Sequence, residues 1–380
     1  MSVKKKKIEQ IKDICTGCMA CVSKCPVKCI SCELDEEGFY YPRIDHDKCI
    51  DCDKCQRVCH VMNFNSNFPD DQRHTFYGRS EKRDVLSKST SGGAFYHLAR
   101  AVLDCGGTVY AAHFDLKDRI LKHSSTDMVD LESLLKSKYV ESKMGETVSN
   151  IQEDICAGRQ VLFCGTPCQV SGVKNAINDE NDLLTTVDFI CHGVPSTKIL
   201  QEHLSNLVRD AELVEIDFRP KASGWSSINL SVKTEKKSTY IPYYIDAYYA
   251  GFMKNVFLRR SCYDCQFRTE HRSDITIADF WGYRAVDPLM DVKDGMSLII
   301  THTDRGVAAV TNLKDFELHE IDNKFSDYAL GERRYPLSPR KEFYDLYNKR
   351  NFKYAARKTY MKGSWKAKIK YRIKKVLGRG

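Results

Sequence analysis

The chain has 380 residues, 42% hydrophobic and 11% aromatic, enough to bury the cores of two or three domains and to exclude disorder throughout. Its formal charge of +8 sits in one place: residues 340–380 hold fifteen Lys/Arg against two Asp/Glu, so the basic character belongs to the tail and not to the body. Seventeen cysteines, with no apolar run of transmembrane length and no apolar segment behind the MSVKKKK start, read as metal ligands of a cytoplasmic protein and not as disulfides of an exported one.

The first motif in chain order is CTGCMACVSKCP, residues 15–26. Cys15, Cys18, Cys21 and Cys25 follow C-x2-C-x2-C-x3-C, and Cys49, Cys52, Cys55 and Cys59 repeat the spacing. Three thiols at three-residue steps hold one iron–sulfur cube, and in two-cluster proteins the fourth cysteine of each run reaches the other cube. The expected ligand sets are therefore Cys15, Cys18, Cys21 and Cys59 for one 4Fe–4S cluster, and Cys49, Cys52, Cys55 and Cys25 for a second. Paired zinc sites also use four thiolates, but as two well-separated C-x2-C hooks. His60 stands where the first run has Pro26, a turn-shaping residue and not a ligand. Cys29 and Cys32 read as small buried thiols. Residues 8–63 are expected to form a bacterial ferredoxin-like domain.

Residues 63–75, NFNSNFPDDQRHT, are polar and turn-rich and read as a linker. Beyond it, strand and helix signals alternate. Residues 91–107 read as a helix stopped by Gly106 and Gly107, and 108–114 with 119–125 as paired strands. Residues 159–165 and 183–190 read as buried strands around a helix over 168–177. Further strands are expected at 213–220, 228–234, 274–280 and 296–302, with helices near 196–208, 245–258 and 305–313. This alternation predicts an α/β body, α+β in detail, built on one mixed sheet over residues 76–335. The remaining segment, 340–380, is a basic and helical tail.

Several loops after strands carry chemistry. In GTPCQ (165–169), Thr166 is placed as an N-cap, Pro167 as the first helical residue and Gln169 as the return of a capping box. The free amides of that turn favour an anion or a thiolate at Cys168, and a capped helix that happens to carry a cysteine is the plainer reading. KSTSGG (88–93) has the hydroxyls and glycines of a phosphate-binding nest, a pattern that ordinary helix starts share. Cys191 and His192 end a buried strand; His192 is a candidate proton donor, with a structural hydrogen bond as the plainer role. Cys262 and Cys265 form a C-x2-C hook that, with Cys168 and Cys191, makes a third set of four thiols. Spacing alone leaves a third cluster, zinc and unligated buried thiols open for that set. Cys105, Cys156 and Cys164 show no partner pattern and are expected to pack inside. Asp279 ends an apolar strand and is followed by Trp281, a pair suited to packing on a ring cofactor or to a core tryptophan.

In combination, KSTSGGAF, FCGTPCQVSGV, FICHGVPS, SCYDCQFRTEHRSDITIADFWG and DGMSLI, in that order behind a two-cluster ferredoxin motif, closely resemble the coenzyme F-420 hydrogenase/dehydrogenase beta-subunit family over roughly residues 10 to 330. The basic-tailed single-chain form is most similar to its bacterial, polysaccharide-biosynthesis-associated branch. The resemblance implies FAD, with Ser91, Gly92 and Gly93 near it and the Thr166–Pro167–Cys168–Gln169 turn beside it. Asp279 and Trp281 match the end of a D-I-T-x-x-D-F-W-G motif in which this chain has Ala278 for the commoner Gly. Cys168, Cys191, Cys262 and Cys265 match family cysteines, which implies a third 4Fe–4S cluster. Coenzyme F-420 is a family substrate, though not of every branch.

The implied activity is an oxidoreductase that passes electrons from ferredoxin, or another one-electron donor, through clusters to FAD and a two-electron small-molecule or sugar-linked substrate. A subunit feeding a separate catalytic chain, and a cluster-bearing sensor or scaffold at a membrane, are the alternatives. Trp365, Ile369, Ile373 and Leu377 fall four apart among lysines and arginines. That pattern suits a helix on an anionic membrane surface, at the inner face, and equally a solvated or packed terminal helix. No motif supports a nucleic-acid partner.

Overall fold

In this computed structural model, the described residues are 8–64, 73–177, 181–331, 334–363, 369 and 371. The cysteine-rich segment folds around one antiparallel hairpin, β1 (Ile30–Leu34) and β2 (Tyr40–Ile44), flanked by the short helices Ala20–Ser23 and Lys54–Arg57. The sequence repeat becomes a backbone repeat. Gly17 and Met19 in the first run, and Asp51 and Asp53 in the second, all take left-handed conformations, with φ between 49° and 72°. Such residues curl successive amides toward one centre, and non-glycine side chains adopt that conformation only where the surroundings demand it.

The remaining strands are β3 (His74–Ser80), β4 (Thr108–Asp115), β5 (Ile120–Ser125), β6 (Ser142–Lys143), β7 (Val161–Cys164), β8 (Leu184–Phe189), β9 (Leu213–Asp217), β10 (Asn229–Thr234), β11 (Ser238–Pro242), β12 (Ile275–Asp279), β13 (Ser297–Thr301) and β14 (Phe316–Ile321). Nine of them form one mixed sheet in the order β14-β3-β13-β12-β8-β7-β4-β5-β6. Its centre, β12-β8-β7-β4, is parallel. Helices cover both faces, so the central strands read as continuous apolar runs: every residue of β7 and β13 is buried. The large mixed sheet and the ferredoxin-like N-terminal unit are as expected from sequence. Two strands expected in that sheet, β9 and β10, instead join β11 in a separate three-stranded antiparallel sheet.

The expected linker ends inside β3, which starts at His74; residues 65–72 lie outside those described. The expected tail boundary falls inside the helix Ser338–Tyr347. Together with Phe352–Lys358, that helix buries Phe343, Tyr344, Tyr347 and Phe352 in the same core as Phe39 of the N-terminal hairpin. Of the four tail residues singled out above, only Ile369 is described, and it is exposed. Among the described residues no helix is long and apolar enough to cross a membrane.

Candidate functional site

In open parallel sheets, ligands bind outside the carboxyl ends of the strands. Here those ends open into a cavity of about 900 Å³. Cys164, Gly165 and Thr166 follow β7, Cys191 and His192 follow β8, and Asp279 to Trp281 close β12; all of these line it. Ser91 and Gly93 line it from the β3 side, but Gly92 does not. The Gly92 N–H donates to Ser297 Oγ at 3.0 Å, and the Ser91 hydroxyl to the Met296 carbonyl at 2.6 Å. The KSTSGG segment is therefore stitched to β13, and the Gly92 amide is spent on that seam. Gly93 takes φ 89° to turn the chain into the helix Ala94–Asp104.

The Thr166 turn is half the capping box expected of it. Gln169 Oε1 accepts from the Thr166 N–H at 3.0 Å, while the Thr166 hydroxyl lies 3.2 Å from Cys168 Sγ. Gln169 Nε2 donates to Ser142 Oγ at 2.9 Å, tying the turn to β6. Pro167 does start the helix, and together with Cys168 it faces a second, smaller space, not the large cavity.

Asp279 is held by Arg219 Nη1 and Trp225 Nε1, each donating at 3.1 Å. Trp281 stacks on Trp225 with centroids 4.5 Å apart at 10° and stays 49% exposed, a platform at the cavity mouth instead of a core residue. His192 lines the cavity edge-on to Phe252. Arg219, Trp225, His123 and Lys138 were not singled out from the sequence. Lys138 Nζ donates to the carbonyls of Leu134, Leu135 and Lys136, and burial pulls it down to about 7. His123 donates Nε2–H to the Cys164 carbonyl at 3.1 Å, which leaves Nδ1 a buried acceptor without a protein partner. Burial pulls this imidazole down to about 4. No spacing marks these four residues: each is single, and only the closure of the sheet brings them to one cavity.

The cysteines gather as three sets. Cys15, Cys18, Cys21 and Cys59 line one small space with Thr16 and His60. Cys25, Cys49, Cys52 and Cys55 line a second, so the fourth cysteine of each run stands with the other run's first three. Cys168, Cys191, Cys262 and Cys265 line a third, with Thr16, Glu141, Arg259 and Arg268. Among the described residues no three His, Cys, Asp or Glu side chains converge on a point fit for a single ion. Burial raises the thiols of Cys168, Cys191, Cys262 and Cys265, the last to about 12, and neighbouring thiols push the same way on Cys168, Cys191 and Cys265. Four crowded soft donors around a gap are the donor chemistry of an iron–sulfur cube. Cys29 lies in the second space with its Sγ 3.4 Å from that of Cys25. Cys164 is buried as expected, whereas Cys105 and Cys156 are exposed, because each falls at the C-terminal end of a helix.

The spaces form a row. Ile8, beside the Cys15 set, packs on Cys29 and Ile30 of the Cys49 set. Thr16 lines both the Cys15 set and the Cys168 set. Thr166, Gln169, Cys191, Gly193 and Val194 line both the Cys168 set and the large cavity.

Residues 14–63 match a 4Fe–4S dicluster domain, and residues 158–324 match the family described as the C terminus of the beta subunit of coenzyme F420 hydrogenase/dehydrogenase. No curated protein matches the chain. Thirteen chains of solved structures match. One is from the structure "Xenon derivatization of the F420-reducing [NiFe] hydrogenase complex from Methanosarcina barkeri". It is 16% identical, with 72% of this chain and 92% of that chain covered and a TM-score of 0.46. The chain thus carries a 4Fe–4S dicluster domain ahead of a region of an oxidoreductase-subunit family.

Proposed function

We propose that this chain is an iron–sulfur flavoprotein oxidoreductase that accepts single electrons from ferredoxin or another one-electron donor and reduces a two-electron substrate in the large cavity. The observation that carries this reading is the row of three four-cysteine spaces ending at that cavity. In it, Cys25, Cys49, Cys52 and Cys55 hold the outermost 4Fe–4S cluster, Cys15, Cys18, Cys21 and Cys59 the next, and Cys168, Cys191, Cys262 and Cys265 the third.

The large cavity fits FAD by its size, within the range of cofactor sites, and by its few placed polar groups on largely apolar walls. When bound, FAD supplies the exchange between one-electron and two-electron chemistry. The chain's own part is to bind and orient. His123 Nδ1 offers a buried acceptor, Arg219 and Asp279 fix the β12 end, and Trp281 gives an exposed ring face for a planar ligand. His192, at the wall shared with Cys191, is the candidate to hold a proton. The family description names a subunit, which supports a second reading: an electron-transfer subunit whose substrate is turned over on a partner chain.

The test is the anaerobic visible spectrum of purified full-length protein, with iron, sulfide and released flavin quantified. About twelve irons and one FAD per chain are expected, as three four-iron cubes require. About eight irons without flavin, even after incubation with FAD, would overturn the flavoprotein reading and leave a dicluster domain on an α/β body.

A further inference from the structure

Among the groups around the third cysteine set, Arg259 is the one whose role the preceding reading leaves open. Its side chain is 1% exposed. Nε donates to the Cys15 carbonyl at 2.7 Å, and Nη1 to the Tyr40 carbonyl at 3.0 Å and to Glu141 Oε1. Glu141 Oε2 accepts the Tyr40 N–H at 2.9 Å, and the guanidinium lies over the Tyr41 ring at 4.1 Å. Nη2, also buried, has no protein partner. A guanidinium carries five N–H donors, and leaving a charged donor buried and unmatched is costly, so such a group points to an acceptor that the polypeptide itself does not provide.

Where that acceptor belongs follows from the lining. Arg259 and Glu141 both border the space rimmed by Cys168, Cys191, Cys262 and Cys265. The guanidinium also touches the Cys15 side: a Cβ built on Gly17 would lie 3.0 Å from Nη1, and Gly17 borders the Cys15 set. One buried cation therefore stands at the join between the N-terminal domain and the body, between two cysteine sets.

A cube held by four thiolates is anionic, and its reduction adds one more negative charge. A cation and an N–H donor at its edge stabilise the reduced form more than the oxidised form, and low local dielectric strengthens the effect. We propose that Arg259, through Nη2 and its charge, sets the reduction potential of the third cluster, and that Glu141 trims this charge. Arg259 is a positioning and tuning residue that favours electron arrival next to the large cavity. The inference rests on the reading of the third set as a 4Fe–4S site.

The experiment is an EPR-monitored redox titration of the anaerobically reconstituted full-length protein as wild type, Arg259→Met, Arg259→Lys and Glu141→Gln, with iron counted in each. The third centre's midpoint falls in Arg259→Met, falls less in Arg259→Lys, which keeps the charge, and rises in Glu141→Gln. The centre of the Cys49 set stays put. All three variants break the same ion pair, so mere loosening of the site would move them in one direction; opposite shifts mark electrostatics. If Arg259→Met does not fold, Glu141→Gln, which is nearly isosteric, still decides through its upward shift. A wild type with two centres and about eight irons overturns the third-cluster reading and this inference with it. Three centres with an unmoved third midpoint, or a shift confined to the Cys15 set, overturn the inference alone.

Discussion

At the scale of single residues, a cluster protein's tolerance is set by close contacts that carry no charge and bear no ligand. Gly172 lies in the helix Pro167–Ile177, one turn beyond Cys168. A Cβ there would stand 2.6 Å from Cys18 Cβ and 2.7 Å from Cys18 Sγ. Alanine in a helix interior ordinarily gains about 1 kcal/mol over glycine. Here the neighbour is a ligand-set residue on a tightly curled backbone, so it has little room to give. Gly172→Ala is expected to lose about four irons per chain, those of the Cys15 set, and to lower the thermal midpoint. Iron analysis with EPR of the N-terminal centres checks it, and full iron with a raised midpoint would show that helix propensity wins. The repeated cysteine spacing makes the two N-terminal sets legible in the sequence. The glycine is not, because nothing in CQVSGVKNAI says which turn meets Cys18.

At the scale of elements, β8, β12 and the residues leading into β12 share a buried polar network beneath the sheet. The Thr276 hydroxyl donates to Asp188 Oδ1 at 2.5 Å, so at 2.8 Å His302 Nε2 must be the donor to Thr276 Oγ1. His271 pairs with Asp188 at 2.8 Å. The two imidazoles shift in opposite directions. Burial pulls His302 down to about 4; burial also opposes His271, but Asp188 outweighs it and raises that ring. A histidine whose folded value is depressed contributes stability above its unfolded value of about 6.5, and loses it as pH falls through about 4. The contribution is at most about 3 kcal/mol. His302→Leu is expected to flatten the stability curve between those two values, read as the difference from wild type in urea melts at matched pH, which cancels any acid loss of iron common to both. Parallel curves would rule out His302 as the titrating group.

Element type was legible where period and buried runs were strong. The helices over 167–177 and 197–208, and strands β7, β8, β12 and β13, stand close to where apolar runs and caps predict them. β3 and β14 were not, because β3 starts in polar HT at the end of a turn-rich stretch, and β14 is an edge strand with an exposed face. β9 and β10 read correctly as strands, but alternation alone does not say which sheet a strand joins. The cavity residues Arg219, Trp225, His123 and Lys138 come from separate elements, and only the folded sheet brings them together.

At the scale of the molecule, the C-terminal basic segment divides into a part the core needs and a part it does not. Arg340 pairs with Glu37, at the tip of the N-terminal hairpin, and donates Nε to the Leu258 carbonyl at 3.0 Å. The Ser196 hydroxyl donates to the Glu37 carbonyl at 2.5 Å, and a Cβ on Gly38 would lie 2.4 Å from Lys198 Cβ. The hairpin tip is thus wedged between the helices Thr197–Val208 and Ser338–Tyr347. Burying each of Phe343, Tyr344, Tyr347 and Phe352 stabilises by about 2–3 kcal/mol. The four together approach the 5–15 kcal/mol that is typical of a whole domain. A chain ending at residue 336 is therefore expected to aggregate or to lose its cooperative melt, with iron falling because the dicluster domain loses its seat. A chain ending at residue 363 keeps every one of these contacts and is expected to match the full chain in iron content and melting. What it gives up is most of the basic, four-spaced apolar pattern, so binding to anionic vesicles at low salt is expected for the full chain and not for the 363-residue chain. Co-sedimentation of the two with anionic and with neutral vesicles separates the outcomes. Equal binding would place any membrane contact on the body, and binding by neither would leave the tail's charge without a lipid partner.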